Sequence, residues 1–290
     1  MSIPLQIITD SAADLLPEER QTYDIAVAPL TIRFPEGQVP SETLTPDAFY
    51  NRLRAMLPAI PTTSMSSLGQ LAALYRKALS AGKRVLSIHI SSGLSGTLQA
   101  AEDARHLTSE QDVTCWDCGT LSGGERFQVL AASLAARANW SLDAILTRLA
   151  RIRSATEVVY SLETLDYLAR GGRIGRVQAL AGALLNIKPI IGVDHRDGRY
   201  STVGRVRSLR QALDGMVKYL QGVYADAPLW VSVMHGQMDA QAEALAVRLQ
   251  DRLQVARLEL LRISPVLGVH TGPDIVGVAA VPMSLMDVQA

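Results

Sequence analysis

The chain has 290 residues, of which 48% are hydrophobic and 19% charged, a balance typical of proteins with a packed core and unlike that of disordered or fibrous chains. Lysine plus arginine and aspartate plus glutamate each number 28, so the formal net charge is zero and we expect no nucleic-acid partner. The amino terminus has no basic segment before its first apolar residues, and no apolar run approaches the ~20 residues that span a bilayer, so we expect a cytoplasmic protein without stable membrane insertion.

The first half of the chain alternates short apolar runs with longer amphipathic segments. The apolar runs predict strands at residues 5–10, 25–34, 85–90 and 113–116. The amphipathic segments predict helices at residues 14–23, 46–56, 68–81, 97–107, 125–139 and 141–154. Strands that alternate with helices predict a layered, mostly parallel sheet with helices on both faces, and ligands of such sheets bind beyond the carboxyl ends of the strands.

The second half mixes the same elements in a less regular order. Strands are predicted at residues 157–161, 189–193, 229–234, 259–263 and 275–280, and helices at 162–170, 176–185, 209–224 and 239–253. The segment Asp194-His-Arg-Asp-Gly198 is typical of a hairpin turn, which implies antiparallel pairing. We therefore expect a two-domain α/β protein, with an N-terminal domain over residues 1–155 and a C-terminal domain with a mixed sheet over residues 156–290.

Functional side chains are expected in the four segments that are richest in glycine, proline and hydroxyl residues, namely residues 61–67, 91–97, 171–175 and 268–273. Three of them contain hydroxyl or imidazole groups that together can hydrogen-bond a carboxylate or a phosphate: Thr62, Thr63, Ser64, Ser91, Ser92, Ser95, His270 and Thr271. Residue types alone favour the alternative that several of the serines and threonines are helix N-caps.

Ser95 is also a candidate nucleophile, because it lies between glycines after a predicted strand. The segment Gly93-Leu-Ser-Gly-Thr97 departs from the Gly-x-Ser-x-Gly elbow of hydrolases at its last position, and Ser95 stands five residues beyond the strand. An order of serine, aspartate and then His270 would fit a triad, but only geometry can assign such roles. A serine esterase that acts on acyl groups through Ser95 therefore remains the alternative function.

Other chemistries have weaker support. The segment Gly171-Gly-Arg-Ile-Gly175 does not match a dinucleotide-binding loop, no phosphate-binding loop with Gly-Lys-Ser/Thr occurs, and the five histidines lack metal-site spacing. Cys115 and Cys118 are spaced as Cys-x-x-Cys but fall at a predicted buried strand, which favours structural thiols over redox use. We expect neither a metal nor an organic cofactor.

Six segments, in the same order over nearly the whole chain, resemble the DegV family of bacterial fatty-acid-binding proteins. They are Ile8-Thr-Asp-Ser-Ala-Ala-Asp14, Pro61-Thr-Thr-Ser64, Ile90-Ser-Ser-Gly-Leu-Ser-Gly-Thr97, Leu162-Glu-Thr-Leu-Asp-Tyr-Leu-Ala-Arg-Gly-Gly-Arg-Ile-Gly175, Lys188-Pro-Ile190 and Gly268-Val-His-Thr-Gly-Pro273. The resemblance implies a non-catalytic protein that holds one long-chain fatty acid, of C14 to C18, in a tunnel between its two domains.

The resemblance also implies a partner and a set of binding residues. Members that work with a fatty acid kinase present the carboxylate to its ATP-binding subunit, which makes an acyl phosphate for phospholipid synthesis. The carboxylate ligands would be Thr63 and Ser95 with His270 nearby, and Thr62 is the alternative to Thr63. Basic residues of the second domain would dock the kinase subunit, with Arg173 and Arg205 as the candidates and a solvated charged face as the alternative.

The tunnel wall would draw on the apolar segment after the Gly-Gly-Arg turn, including Ile174, Leu180 and Leu184, although each of these could equally be a core residue. Two segments differ from what the family usually shows, namely Met65-Ser-Ser-Leu68 and Gly119-Thr-Leu-Ser-Gly-Gly-Glu-Arg126. We expect these differences to bear on the preferred acyl chain or on the mouth of the tunnel, and to leave the head-group residues in place.

Overall fold

The computed structural model describes residues 4–178 and 187–287, which form a parallel sheet, a mixed sheet and a small antiparallel sheet. The strands are β1 Leu5–Asp10, β2 Ala26–Ala28, β3 Thr31–Phe34, β4 Gly37–Pro40, β5 Thr62–Ser64, β6 Arg84–His89, β7 Val113–Asp117, β8 Glu157–Leu162, β9 Lys188–Val193, β10 Tyr200–Val206, β11 Leu229–His235, β12 Val255–Arg262 and β13 Ile275–Pro282. The helices are α1 Pro17–Thr22, α2 Pro46–Ala55, α3 Leu68–Ser80, α4 Thr97–His106, α5 Gly123–Arg137, α6 Leu142–Ala155, α7 Asp166–Arg170, α8 Leu209–Tyr224, α9 Asp239–Arg252 and α10 Pro265–Thr271.

The first sheet has the order β2-β1-β6-β7, and every pairing in it is parallel. Its strands are apolar on both sides because helices cover both faces, with α3 and α4 on one face and α5 on the other. Parallel strands end at the same edge, so the chain leaves β1 and β6 next to each other. The loop 91–97 begins at this edge, as the sequence predicts.

The second sheet has the order β10-β9-β8-β13-β11-β12, in which only β11 and β12 pair in parallel. Helices α8 and α9 cover one face of it. The predicted hairpin turn is confirmed, because β9 and β10 are antiparallel and the amide of Asp194 donates to the carbonyl of Arg199 at 2.8 Å. The mixed α/β architecture of the second half is thus confirmed.

Helix α5 lies between the two large sheets and contacts strands of both. Two glycines in its first turn allow the approach: a Cβ added at Gly123 would lie 2.8 Å from the Cβ of Ala279, and one at Gly124 would lie 2.7 Å from Val158. The apolar core is continuous through this helix from Ile7 of β1 to the second sheet. The chain then passes into the second sheet through α6, whose end at Ala155 coincides with the proposed domain division.

Several predicted elements differ in detail. The extended run 25–34 forms two strands in different sheets, because β2 pairs with β1 while β3 pairs with β4 and β5. Helix α7 is much shorter than the predicted 162–170, since β8 continues to Leu162 and residues 163–165 form an irregular bend. Of the predicted helix 176–185, residues 175–177 form a short 3-10 turn and residues 179–185 lie outside the described part. Throughout 4–178 and 187–287, no helix has both the length and the apolar character needed to cross a bilayer.

Candidate functional site

Three of the predicted head-group residues come together from distant parts of the chain. Thr63 is the middle residue of β5, Ser95 lies in the loop between β6 and α4, and His270 lies in the last turn of α10. The side-chain oxygen of Thr63 is 2.8 Å from Nε2 of His270. All three side chains line one inner cavity of about 50 Å³.

The alternation of side chains along β5 separates the two candidate threonines. Thr63 pairs in register with Ile32 of β3 and lines the inner cavity, whereas Thr62 pairs with Arg33 and is exposed. Because successive residues of a strand point to opposite faces, both threonines cannot face the same ligand. The geometry therefore favours Thr63 over Thr62 as the carboxylate ligand.

The loop that carries Ser95 is held from both sheets. The amides of Leu94 and Ser95 donate to the carbonyl of Ser91 at 3.0 and 3.1 Å, and the hydroxyl of Ser91 donates to the carbonyl of Gly198 at 2.9 Å. A Cβ added at Gly93 would lie 2.3 Å from the carbonyl oxygen of Asp197, so only glycine allows the β9–β10 hairpin to pack here. The second sheet thus fixes the position of a ligand-binding loop of the first.

His270 is neutral at pH 7. Burial lowers its pKa to about 4, and the nearby positive charge of Arg173 acts in the same direction. Its Nδ1 atom is buried without a hydrogen-bond partner among the described residues, and a Cβ at Gly171 would lie 2.3 Å from that atom. A proton on Nδ1 would be left unsatisfied, so we assign the proton to Nε2, from where it is donated to Thr63. The hydroxyl proton of Thr63 is then free for a ligand.

The inner cavity lies between two other spaces. Outside it, an open cleft of about 700 Å³ shares Thr63, Ser95 and Arg173 with it. Further inside, a space of about 20 Å³ between the sheets shares Leu267 with it and is lined by apolar and weakly polar side chains such as Tyr160 and Met234. Because ligand pockets usually measure ~300–1,000 Å³, a long acyl chain can enter the interior only if the lining side chains move.

The described cavities are not lined by the predicted tunnel residues that the structure describes. Ile174 is buried in the apolar core and is absent from the lining of these three spaces, while Leu180 and Leu184 lie outside the described residues. The interior spaces are lined instead by residues that sequence patterns mark only as core, including Leu94, Leu267 and Met234. Periodicity identifies such residues as buried but carries no signal that distinguishes a cavity wall from a solid core.

The two predicted docking arginines have different surroundings. Arg173 is exposed and lines both the outer cleft and the inner cavity, whereas Arg205 is exposed on β10 away from them. A neighbouring cavity of about 190 Å³ adds Arg176 and Arg199 beside Arg173. Arg176 forms ion pairs with carboxylates of the β9–β10 turn. The cationic region next to the head-group residues therefore includes Arg199, which sequence reasoning missed.

The geometry does not support Ser95 as a nucleophile. Its hydroxyl is 2.8 Å from that of Thr97, and its oxygen accepts the Thr97 amide at 3.3 Å. In the described chain Ser95 therefore hydrogen-bonds the first residue of α4. His270 bonds Thr63 instead, and a histidine whose pKa is about 4 is a weak base at pH 7. The alternative of a serine esterase thus lacks a placed base.

A second serine and histidine have triad-like distances but no access. Ser87 Oγ is 2.7 Å from Nε2 of His89, whose Nδ1 is 3.0 Å from Oδ2 of Asp10. All three side chains are fully buried, and Asp10 also accepts the amide of Ile90 at 3.1 Å. This network holds the carboxyl ends of β1 and β6 in place beneath the loop that carries Ser95. Sequence spacing gave no signal for it.

The two cysteines lie away from the head-group residues. Cys118 is buried and Cys115 half-buried, and burial raises the pKa of both thiols, to about 12 for Cys115, which agrees with structural roles. Residues 65–68 line the outer cleft. Glu125 and Arg126 are fully buried in α5, so the segment 119–126 contributes to the interior and not to the mouth of the cleft. The described residues contain no cluster suited to a metal ion.

Hydroxyl donors at the entrance to a partly apolar interior are the arrangement that a site for a small amphiphilic ligand requires. The chain belongs to the DegV family: the family model, described as uncharacterised proteins of the DegV family, matches residues 4–283. Several members of this family with known structures are described as fatty-acid-binding proteins.

Relatives match over nearly their full length. A DegV domain-containing protein of Deinococcus radiodurans is 36% identical over 277 residues, covering 95% of each chain. A DegV family protein of Thermus thermophilus, described by its fatty acid binding, has a TM-score of 0.91 at 32% identity, covering 97% of this chain and 100% of that one. The DegV protein of Bacillus subtilis, described as a fatty acid binding protein, has a TM-score of 0.86 at 25% identity, with the same coverage.

Proposed function

We propose that this protein binds one long-chain fatty acid, of C14 to C18, with its carboxylate at Thr63, Ser95 and His270 and its tail in the space between the two sheets. The observation that carries the proposal is that Thr63, Ser95 and His270 line a single cavity placed between an open cleft and an apolar interior. The descriptions of the Thermus and Bacillus relatives support the same ligand class.

The energetics suit such a ligand. Burying about fourteen methylenes at ~0.8 kcal/mol each supplies on the order of 11 kcal/mol before the costs of association. A carboxylate removed from water loses several kcal/mol unless it receives hydrogen bonds. The hydroxyls of Thr63 and Ser95 can donate to it, and the charge of Arg173 at the same cavity favours the ionised form.

The partner in this proposal is the ATP-binding subunit of a fatty acid kinase. A carboxylate bound at Thr63 and Ser95 would face the outer cleft, from which a phosphoryl donor can approach. Arg173 and Arg199 beside it could stabilise the transferred phosphoryl group or dock the subunit, with Arg205 as a more distant docking candidate. The acyl phosphate would serve phospholipid synthesis, and use of ATP places the encounter in the cytoplasm.

The ligand is tested by extracting the purified protein with organic solvent and analysing the extract by mass spectrometry. We expect about one C14 to C18 fatty acid per protein chain, because a tail buried between the sheets should survive purification. An unrelated protein purified from the same host is the control. Recovery of no such acid from protein that was never delipidated, together with no uptake of added palmitate, would contradict the proposal.

The absence of hydrolysis is tested with a fluorophosphonate probe, which labels activated serines. We expect no label on Ser95 during an incubation that fully labels a serine esterase, since Ser95 lacks a hydrogen-bonded base in the described structure. Label that appears on the wild-type protein and disappears in Ser95→Ala would establish the esterase alternative instead.

A further inference from the structure

Three segments of the chain meet at the buried carboxyl group of Asp14. Asp14 ends the turn that follows β1 and has a φ of 48°, in the left-handed region. Its Oδ1 accepts the amide of Ser264 at 2.9 Å, and its Oδ2 accepts the hydroxyl of Ser122. Ser122 precedes α5 and Ser264 precedes α10. One carboxyl group thus ties the β1 loop to the starts of two helices.

Helix α10 is the element that carries the head-group histidine. Its residues Leu267 and His270 line the inner cavity, and Leu267 also lines the innermost space together with Ser122. The helix has only seven residues, and a second buried side chain, Ser41, accepts the amide of Val266 at 3.1 Å. A shift at the start of so short a helix changes the position of His270 relative to Thr63.

We propose that Asp14 is the positioning residue of the fatty-acid site: its ionised carboxylate holds the start of α10, and proton uptake by this group loosens the contact between His270 and Thr63 and weakens ligand binding. The inference rests on the proposed function and adds to it a dependence on pH. The carboxyl group touches no ligand-lining atom of His270 or Thr63, so it acts through the helix.

The surroundings of Asp14 put its titration in the physiological range. Burial raises its pKa to about 6, although the hydrogen bonds from Ser122 and Ser264 and the charge of Arg126 act in the opposite direction. Burial also raises the pKa values of Glu125 on α5 and Tyr50 on α2, and the phenol of Tyr50 is therefore neutral at pH 7. The other charged groups that act on Asp14 or on these two neighbours are Asp10 on β1, Asp117 on β7, Arg126 on α5 and Arg262 on β12.

Protonation of Asp14 has opposite effects on the stability of the fold and on ligand binding. Because the pKa of Asp14 is higher in the folded protein than the ordinary 3.8, its contribution to stability is present below about pH 3.8 and is lost as the pH rises through about 6. At pH 7.5 the ionised carboxylate therefore costs global stability while it holds α10. Acidification should stabilise the fold through this group and weaken the site.

The test compares the wild type with Asp14→Asn, using calorimetric titration with myristate below its aggregation concentration between pH 5.5 and 8. The amide keeps an acceptor for Ser264 and a donor for Ser122 but cannot ionise. We expect wild-type affinity to fall about five-fold from pH 7.5 to 5.5 with a midpoint near 6. Asp14→Asn should be independent of pH and match the wild-type value at pH 5.5. His270 stays neutral over this range, and any fall in affinity that the wild type and Asp14→Asn share comes from the carboxyl group of the ligand.

Two further variants serve as a control and as an independent measure of the Asp14 titration. Asp112→Asn removes a partly exposed carboxylate at the edge of the first sheet and should keep the wild-type pH profile. Ser122→Ala removes a hydrogen bond to the ionised form of Asp14, so it should move the midpoint to higher pH, a readout that remains if Asp14→Asn does not fold.

A pH-independent wild type, an Asp14→Asn profile parallel to that of the wild type, or loss of binding by folded Asp14→Asn at every pH would each overturn the inference. Absence of any fatty-acid binding by the wild type at pH 7.5 is a separate result, because it contradicts the proposed function itself.

Discussion

Replacing both Thr63 and Ser95 with alanine should lower the affinity for palmitate by roughly 10²- to 10⁴-fold, since hydrogen bonds to charged groups contribute ~1.5–3 kcal/mol each. Both hydroxyls line the inner cavity, and Thr63 is also the partner of the Nε2 proton of His270. Because the two hydroxyls would donate to the same carboxylate, the effects of the two substitutions should not be strictly additive. Affinity is measured by displacement of a fluorescent fatty acid, with all four combinations compared.

The chain offers a matched control for this experiment. Thr62 and Ser92 are the exposed neighbours of the same two segments, and they allow the same pair of residue types to be replaced outside the cavity. Thr62→Ala with Ser92→Ala should bind palmitate within about three-fold of the wild type. If a Thr63→Ala, Ser95→Ala variant folds and binds palmitate as tightly as this control, the carboxylate does not bind at Thr63 and Ser95.

Hydrophobic patterns predict the large elements well because those elements bury whole faces. The strands near residues 5–10, 85–90 and 157–161 are apolar runs bounded by turn residues, and the structure places them within one residue of the predicted limits. Strand β4, Gly37–Pro40, was missed because it is short and largely exposed, so it carries no burial pattern. Strand β5 shows no strand pattern in the sequence, because its three polar residues form a strand only through pairing with β3.

The candidate site depends on contacts that no local pattern encodes. Thr63 and His270 are 207 residues apart, and they meet because β5 pairs with β3 while α10 packs against α2 and α7. The resemblance to a family identified these residues, whereas the residue types alone favoured helix caps. Ser95 lines the cavity and also accepts the amide of Thr97, the first residue of α4, although the N-cap of that helix is Gly96.

The sequence also does not predict the buried ionic network of α5. It shows only that Arg126 lies in a segment that differs from what the family usually shows. Its guanidinium group is fully buried and donates to Glu19 of α1 at 2.9 Å through Nε and to Glu259 of β12 at 2.6 Å through Nη1. Ser232 of β11 accepts a further bond at 3.2 Å. A single side chain between the sheets therefore connects an N-terminal helix to the second sheet.

Arg126→Met should lower the free energy of unfolding by about 3–5 kcal/mol, because it leaves the largely buried Glu19 without its cation and removes one of the two arginines that pair with Glu259. Urea unfolding measures the change. Arg248→Met is the matched control: it removes an arginine that pairs with Asp214 at 2.9 Å on the surface between α8 and α9, and it should cost less than about 1 kcal/mol.

The cause of the loss can be separated from the loss of packing. If the penalty comes from unpaired charge, adding Glu19→Gln and Glu259→Gln to Arg126→Met should recover most of the stability, because neutral amides are far less costly to bury than carboxylates. If the penalty comes from packing, the triple variant should be no more stable than Arg126→Met. The first outcome would show that the network stabilises the protein through its charges. Because α5 packs against both sheets, we expect Arg126→Met still to unfold in one transition, without separate unfolding of the two halves.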